Sequence, residues 1–245
     1  MQRRVKIYGH RGARKYAPEN TIPAFRAALE QGADGFELDT MLSADGVPVV
    51  IHDRSLERTT DGTGLVDRTH SDQLMTLDAG LWFSEDFRGT RIPFLEEVLA
   101  ELGQKTEINI ELKNIHSPFD SLPEKVCQLV KKYNTVGHVL FSSFVPFNLV
   151  RVKKILPEAQ VALLFAPDLM GRLLSTKWFR FLSPRFIHPH FTSCSARFIN
   201  NQHAMGRIIN TWTVNDEDKL IALAEKGIDG IITDDPALAV KRLSS

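Results

Sequence analysis

The feature that most constrains the fold is an alternation, along nearly the whole chain, of short β-like runs with helical stretches. Eight runs rich in β-branched and aromatic residues have the length of strands, and most are followed by a segment of helical periodicity. Over 245 residues, such a series favours a closed parallel barrel over a doubly wound sheet. We therefore predict an α/β fold of the (β/α)8 TIM barrel class, formed as a single domain over residues 1–245.

The predicted barrel strands cover residues 5–9, 35–40, 107–112, 138–142, 161–165, 186–190, 207–213 and 230–233. Residues 47–51 extend the second strand or pair with it through an Asp-Gly turn. A first helix is capped by Asn20 or Thr21 and ends at Gly32. The other helical patterns cover residues 93–102, 122–133, 147–156, 169–181, 196–205, 217–226 and 236–243.

The segment from about residue 54 to residue 90 breaks this rhythm. It is rich in Thr, Asp and Gly and contains Leu81, Trp82 and Phe83 in succession. We predict that it is a small cap inserted after the second strand and not a further barrel repeat.

Charge and cysteine content exclude several classes of function. Lys and Arg total 30 and Asp and Glu total 30, so the chain lacks the basic excess of a general nucleic-acid-binding protein. Only Cys127 and Cys194 occur, which argues against a disulfide framework or a thiolate zinc site. The first residues carry no apolar signal region, and no apolar run is long enough to cross a bilayer. We therefore expect a cytoplasmic protein with reduced thiols.

Polar side chains occupy one face of two predicted barrel strands. In residues 107–113 the polar set is Asn109, Glu111 and Lys113, and Glu37 and Asp39 share a face of the second strand. Alternate residues of a barrel strand point inward, where charge is costly unless it is paired or liganded. Because barrel active sites lie at the C-terminal strand ends, the pattern predicts a functional site. A ribbon with its polar face in water would alternate similarly, but the βα series disfavours it.

The carboxylates Glu37, Asp39 and Glu111 have the chemistry of a metal site. Without nearby thiolates they suit a hard divalent cation, Mg²⁺ or Ca²⁺, with Mn²⁺ as a further candidate. Glu37 and Asp39 can reach one ion above the end of their strand, and Glu111 can complete the site from the neighbouring strand. The alternative is three separate salt bridges.

Two histidines and two cations accompany the carboxylates. His10 and His52 each close an apolar run, so both would project at the same barrel mouth, where they suit removal and donation of a proton near neutral pH. Arg11 and Lys113 supply positive charge that could hold a phosphate. The charges of the three carboxylates, one divalent cation, Arg11 and Lys113 sum to +1. This sum matches the single negative charge of a phosphodiester.

Aromatic residues at strand ends are candidates for the substrate wall. Trp212 ends the seventh predicted barrel strand, and Phe144 follows the fourth, so both could contact the carbon chain of a substrate. A core role for Trp212 is the alternative. His188 and His190 could also line the site, although packing roles are equally compatible with their positions.

Several short blocks resemble the glycerophosphodiester phosphodiesterase family of the bacterial cytoplasmic type, and the match runs nearly end to end. The blocks are Gly9-His10-Arg11-Gly12, Pro18-Glu19-Asn20-Thr21, Glu37-Leu38-Asp39, Val50-Ile51-His52-Asp53, Glu111-Leu112-Lys113, Trp212-Thr213-Val214-Asn215 and Thr233-Asp234-Asp235-Pro236. The resemblance implies a barrel with an inserted cap. It also implies metal-dependent hydrolysis of glycerophosphodiesters to sn-glycerol 3-phosphate and an alcohol.

The resemblance assigns roles to matching residues. It implies His10 and His52 as the acid/base pair, and Glu37, Asp39 and Glu111 as ligands of one divalent cation. It implies that Arg11 and Lys113 hold the phosphate of a small-molecule substrate.

Three other functions remain open. A lysophospholipase D could act at a membrane, which the aromatic and basic stretch of residues 173–185 could touch, although we expect that stretch to pack on the barrel as a helix. A non-catalytic metal or phosphate-ester binding module is a second alternative. An aldol-type enzyme with Lys113 as Schiff-base nucleophile is a third, disfavoured because three carboxylates would keep that lysine protonated.

Overall fold

The computed structural model describes residues 5–168, 171, 173, 175–182 and 185–243, apart from the side chains of residues 179, 180 and 182. Within them, one sheet contains nine strands. They are β1 (Lys6–Gly9), β2 (Gly35–Leu42), β3 (Pro48–Val50), β4 (Glu107–Leu112), β5 (Val139–Ser143), β6 (Gln160–Phe165), β7 (Phe186–Pro189), β8 (Ile208–Thr211) and β9 (Gly230–Thr233).

Eight of these strands close into a parallel barrel. β1 pairs in parallel with both β2 and β9, and the other neighbours follow chain order except that β2 pairs directly with β4. β3 is antiparallel to β2 and lies outside the barrel order. The predicted (β/α)8 barrel is confirmed.

Two strand boundaries differ from the prediction for identifiable reasons. β2 runs on to Leu42 because its last residues pair with the hairpin strand β3, Leu42 opposite Pro48. β8 ends at Thr211, because Trp212 makes only an isolated bridge to His190 beyond the strand.

The helices lie between the strands as the periodicity predicts. They are α1 (Ile22–Glu30), α2 (Ser71–Leu74), α3 (Leu95–Leu102), α4 (Leu122–Lys132), α5 (Pro146–Ile155), α6 (Ala196–Ala204), α7 (Glu217–Glu225) and α8 (Pro236–Leu243). Short 3-10 helices cover Val66–Arg68, Glu85–Phe87, Lys177–Leu182 and Phe191–Ser193. Thr21 is the N-cap of α1, where its side chain accepts a hydrogen bond from the Ala24 N–H.

The main apolar core lies between the barrel and its helices. The side chains of Ile108, Ile110 and Leu112 on β4 are buried there. Phe25 of α1 stacks on Phe36 of β2 with ring centroids 4.3 Å apart. Because residues alternate along each strand, this packing turns the intervening polar residues toward the barrel axis.

The segment between β3 and α3 packs around a second, smaller apolar cluster. Leu56, Val66 and Leu74 are buried in it against Val49 and Ile51 of the adjoining hairpin. The segment contains α2 and two of the 3-10 helices. That residues 54–90 are a cap inserted in a single barrel domain stays a prediction.

The stretch after β6 differs from what the sequence predicts. Four residues of the predicted helix over residues 169–181 (169, 170, 172 and 174) lie outside the described residues, and its end is part of the 3-10 helix Lys177–Leu182. Trp178 is 76% exposed and Phe181 is 72% exposed, so these two side chains do not pack on the barrel. Among the described residues, no helix has both the length and the apolar character needed to cross a membrane.

Candidate active site

One end of the barrel gathers all nine residues that the sequence selects. The site lies at the C-terminal strand ends, where β1, β2, β4, β5 and β8 finish, with His52 just beyond β3. A pocket of about 70 Å³ is lined by His10, Arg11, Glu37, His52, Glu111, Lys113, Phe144 and Trp212. Asp39 joins them through the acidic cluster described next. The side chains that point inward from these strands therefore meet in one pocket.

Three carboxylates form the centre of this site. Ligand oxygens of Glu37, Asp39 and Glu111 all lie within 4.8 Å of one another. Strand register explains the meeting, because Asp39 on β2 stands directly opposite Glu111 on β4, and Glu37 precedes Asp39 by two residues on the same face. The cluster could hold a metal ion.

Asn20 holds Asp39 in place at two points. Its Nδ2 donates to Asp39 Oδ2 at 2.9 Å, and its Oδ1 accepts from the Asp39 N–H at 3.1 Å. Asn20 has φ of 59°, in the left-handed region that asparagine tolerates better than most residues. This clamp fixes the carboxylate before any ligand binds.

Arg11 is bound tightly into the acidic centre. Its backbone N–H donates to Glu37 at 2.9 Å, and its guanidinium contacts Glu19 at 2.7 Å and Asp39 at 3.3 Å. The backbone of Arg11 also has a positive φ, of 55°. At Gly12, a Cβ would lie 2.5 Å from the Ala24 carbonyl carbon, so only glycine fits this turn. The guanidinium is thus engaged by carboxylates at the edge of the pocket.

Lys113 supplies the second positive charge. Its Nζ lies 3.4 Å from Glu111 Oε1 and 3.7 Å from Asp39 Oδ1. Although burial lowers the pKa of Lys113, Asp39 and Glu111 outweigh that effect, so the pKa is raised above its ordinary value. The side chain stays an ammonium at neutral pH.

The acidic cluster carries more negative charge than its surroundings balance. Burial, followed by the charges of Asp39 and Glu111, raises the pKa of Glu37 well above its ordinary value. Burial and Asp39 raise the pKa of Glu111 to about 7. Burial also acts to raise the pKa of Asp39, but Arg11 and Lys113 reverse this and lower it. A divalent cation would relieve this repulsion, so the donor set fits a hard metal ion.

Each of the two histidines has a carboxylate partner. His10 Nδ1 lies 2.6 Å from Asp234 Oδ1, and His52 Nδ1 lies 2.5 Å from Asp53 Oδ1. A carboxylate can only accept, so Nδ1 carries the hydrogen and Nε2 of the neutral ring carries the lone pair. Both rings line the pocket, with Nε2 left for chemistry.

Burial lowers the pKa of both histidines. Asp234 partly offsets this effect at His10, and Asp39 partly offsets it at His52. The lowered pKa favours the neutral ring, which suits a group that first accepts a proton. The partner carboxylates favour the cation that such acceptance creates.

Two aromatic rings form the apolar side of the pocket. Phe144 and Trp212 meet edge to face, with centroids 5.5 Å apart. The Trp212 indole N–H donates to the His188 carbonyl at 2.8 Å, which fixes its plane. His190 packs against Trp212 at 5.2 Å, while the His188 ring is fully buried and its pKa falls to about 3. These two histidines support the aromatic wall.

The sequence did not reveal the contacts of several supporting residues. The sequence motifs contain Asp53 and Asp234, but nothing local shows that each orients a histidine. Arg58 bridges Asp53 and Glu19, which links the segment after β3 to the barrel mouth. Asn109 lines the pocket with both side-chain amide atoms buried and without a hydrogen-bond partner among the described residues. The sequence signal for Asn109 as a site residue was its position on the inward face of β4.

Comparison with known proteins identifies the family. The model of the glycerophosphoryl diester phosphodiesterase family matches residues 10–238, which include all the site residues above. This chain belongs to that family. The phosphodiesterase is 38% identical over 233 residues to a glycerophosphodiester phosphodiesterase of Caldanaerobacter subterraneus subsp. tengcongensis, a match that covers 94% of each chain.

Solved structures agree with this assignment. The phosphodiesterase has a TM-score of 0.83 and 34% identity to a glycerophosphodiester phosphodiesterase of Agrobacterium tumefaciens, over 97% of this chain and 99% of that one. A phosphodiesterase of Oleispira antarctica gives a TM-score of 0.86 with 30% identity, over 99% and 98%. That structure is a complex with the product sn-glycerol 3-phosphate.

Proposed function

We propose that this enzyme hydrolyses glycerophosphodiesters to sn-glycerol 3-phosphate and an alcohol, using His10 and His52 for proton transfer. The observation that carries the proposal is that two histidines, each backed by a carboxylate, line the pocket that also contains the three-carboxylate cluster. Family membership and the named activity of the relatives support the choice of substrate.

Glu37, Asp39 and Glu111 would hold the divalent cation, Mg²⁺ or Ca²⁺ with Mn²⁺ as a further candidate. When bound, such an ion polarises a phosphoryl oxygen and lowers the pKa of a nearby hydroxyl. Lys113 and Arg11 contribute positive charge beside the phosphate, although Arg11 also serves Glu19 and Asp39. Trp212 and Phe144 contact the carbon atoms of the glycerol.

Proton transfer falls to the two imidazoles. In the first step the glycerol 2-hydroxyl attacks phosphorus, the bond to the departing alcohol oxygen breaks, and a cyclic phosphate forms. One histidine takes the hydroxyl proton on Nε2, and the other, entering protonated, gives a proton to the alkoxide. Water then opens the cyclic ester with the roles reversed. Asp234 and Asp53 hold both rings in the required tautomer.

The structure disfavours a Schiff-base role for Lys113. A nucleophilic amine must lose its proton, whereas the pKa of Lys113 is raised by Asp39 and Glu111. A module that only binds a metal or a phosphate ester needs no histidines with carboxylate partners. That alternative therefore leaves His10 and His52 unexplained. For the chain as a whole, we propose one barrel domain over residues 1–245 with an insertion at 54–90, in a cytoplasmic enzyme.

The deciding experiment measures sn-glycerol 3-phosphate released from several glycerophosphodiesters. It is run after chelation and again with Mg²⁺, Ca²⁺ or Mn²⁺ restored. We expect release only with a divalent cation. Binding of the diesters without any release would contradict catalysis and support the binding module.

A further inference from the structure

A second cavity, of about 690 Å³, adjoins the catalytic pocket. It shares His52, Glu111, Lys113 and Phe144 with the inner pocket of about 70 Å³. The two cavities therefore lie side by side, and the residues proposed to act on the phosphate lie between them.

The larger cavity is lined by apolar side chains from several elements. They come from the end of β2, the loop that follows β4 and the start of the loop after β5. These residues are Met41, Leu42, Ile115, Phe144 and Val145. An apolar wall gains free energy when it contacts carbon and loses it when it must dehydrate an ionic group.

Three carboxylates outside the acidic cluster also line the cavity, and each already has partners. Asp53 is held by His52 and Arg58, and Asp67 by Arg54 at 2.8 Å. Asp120 accepts from Asn114 Nδ2 at 2.8 Å, among other donors. A cationic head group would have to compete with these contacts, so the cavity is better suited to an uncharged occupant.

The outer rim of the cavity is preformed. Ile115, 67% exposed, follows Asn114 in the loop after β4. The buried Asn148 of α5 donates to Asn114 Oδ1 at 2.6 Å, and Asn114 in turn holds Asp120. This chain of hydrogen bonds keeps an apolar side chain at the opening, where a substrate chain would pass.

We propose that this second cavity is the subsite for the departing alcohol and that it selects an uncharged alcohol with an apolar chain, an inference that rests on the proposed function. The two ester arms of a phosphodiester leave phosphorus in different directions, so they enter different spaces. The small pocket, bounded by Leu164, Trp212 and Ile232, takes the glycerol. The other arm then enters the larger cavity, past His52.

The test uses sn-glycerol 3-phosphate esters of ethanol, butanol, hexanol and octanol, with glycerophosphocholine as the cationic comparison. Burial of each methylene should raise kcat/KM about fourfold until the cavity is filled. The hexyl ester should therefore exceed both the ethyl ester and glycerophosphocholine by more than tenfold.

Variants locate the effect in the cavity. Ile115→Asp should reduce the gain in kcat/KM per methylene, and Val150→Asp should leave that gain unchanged. Val150→Asp is the matched control, because Val150 is 45% exposed on α5 and is not among the lining residues. Ala44 is exposed and lines the cavity, so Ala44→Phe should stop the rise in kcat/KM at a shorter alcohol chain.

A series without chain-length dependence, or a gain that Ile115→Asp and Ala44→Phe leave intact, would overturn the inference. So would a gain seen only when an acyl chain is attached to the glycerol of a lysophospholipid, because the cavity would then serve the other arm. If none of the esters is hydrolysed with a divalent cation present, the proposed function itself fails.

Discussion

His10 and Asp234 lie 2.6 Å apart although 224 residues separate them in the chain. His10 follows β1 and Asp234 follows β9, and these are the strands whose pairing closes the barrel, with Gly9 opposite Thr233. Closure of the barrel therefore creates this pair. Asn215 holds the second oxygen of Asp234 at 2.7 Å, which fixes the carboxylate toward the imidazole.

Asp234→Asn should lower kcat about 100-fold or more and leave the fold intact. An amide can donate to Nδ1, which would place the hydrogen on Nε2 and remove the lone pair that accepts the proton. Asp235→Asn is the control, because the neighbouring Asp235 contacts Lys15 and Tyr16 and does not contact a histidine. Steady-state kinetics on one glycerophosphodiester decide the matter. Equal kcat in the two variants would contradict the orienting role.

His10→Ala and His52→Ala should each reduce kcat by about 10²–10⁴, the range that general acid–base catalysis supplies. Circular dichroism and melting temperature should change little, since both rings lie in a pocket and outside the two apolar clusters. His70→Ala, at an exposed position before α2, is the control. Retention of normal turnover by either site variant would remove that histidine from the mechanism.

A divalent cation should stabilise the folded protein through Glu37, Asp39 and Glu111. Ligand binding to the native state alone adds about 3 kcal/mol at a hundredfold excess over Kd. Calorimetric melting with chelator and with added Mg²⁺, Ca²⁺ or Mn²⁺ measures the shift. Glu111→Gln should shrink the metal-induced shift. Glu97→Gln, outside the cluster, should preserve it.

Stability of the chelated protein should depend on pH through Glu111. In the unfolded chain this group ionises near its ordinary pKa of 4.5, and in the folded protein near 7, so the folded state binds the proton more tightly. The favourable contribution of Glu111 to the free energy of unfolding is complete below its pKa in the unfolded chain. It is lost as the pH rises through the pKa of Glu111 in the folded protein. Above about pH 8, chelated Glu111→Gln should exceed the wild type in stability by on the order of 3 kcal/mol. The difference should shrink toward pH 4, as denaturant unfolding at several pH values would show.

Asn20 offers a way to separate side-chain and backbone effects. Asn20→Gly keeps the positive φ but removes both hydrogen bonds to Asp39, whereas Asn20→Ala also strains the backbone. We expect both variants to bind metal more weakly. The alanine variant should be less stable by about 1 kcal/mol more than the glycine variant, measured by denaturant unfolding. Equal metal affinity in wild type and Asn20→Gly would show that the clamp is dispensable.

Much of the architecture and the choice of site residues could be predicted from the sequence. Alternation over a few residues already places Glu37 with Asp39, and Asn109 with Glu111, because successive side chains of a strand point to opposite faces. The βα series indicates that these strand ends meet at one mouth. Family motifs then connect the residues to a reaction. All of these signals are local or depend on the order of motifs.

Only the tertiary structure decided which partners those residues have. The pairing of His10 with Asp234, the engagement of Arg11 by Glu19 and Asp39, and the apolar cavity beside His52 all depend on contacts between distant segments. The exposure of Trp178 depends likewise on packing and not on composition. Residue spacing specifies the face of a strand on which a side chain lies. The distances between side chains of different strands are set only when the sheet closes into a barrel.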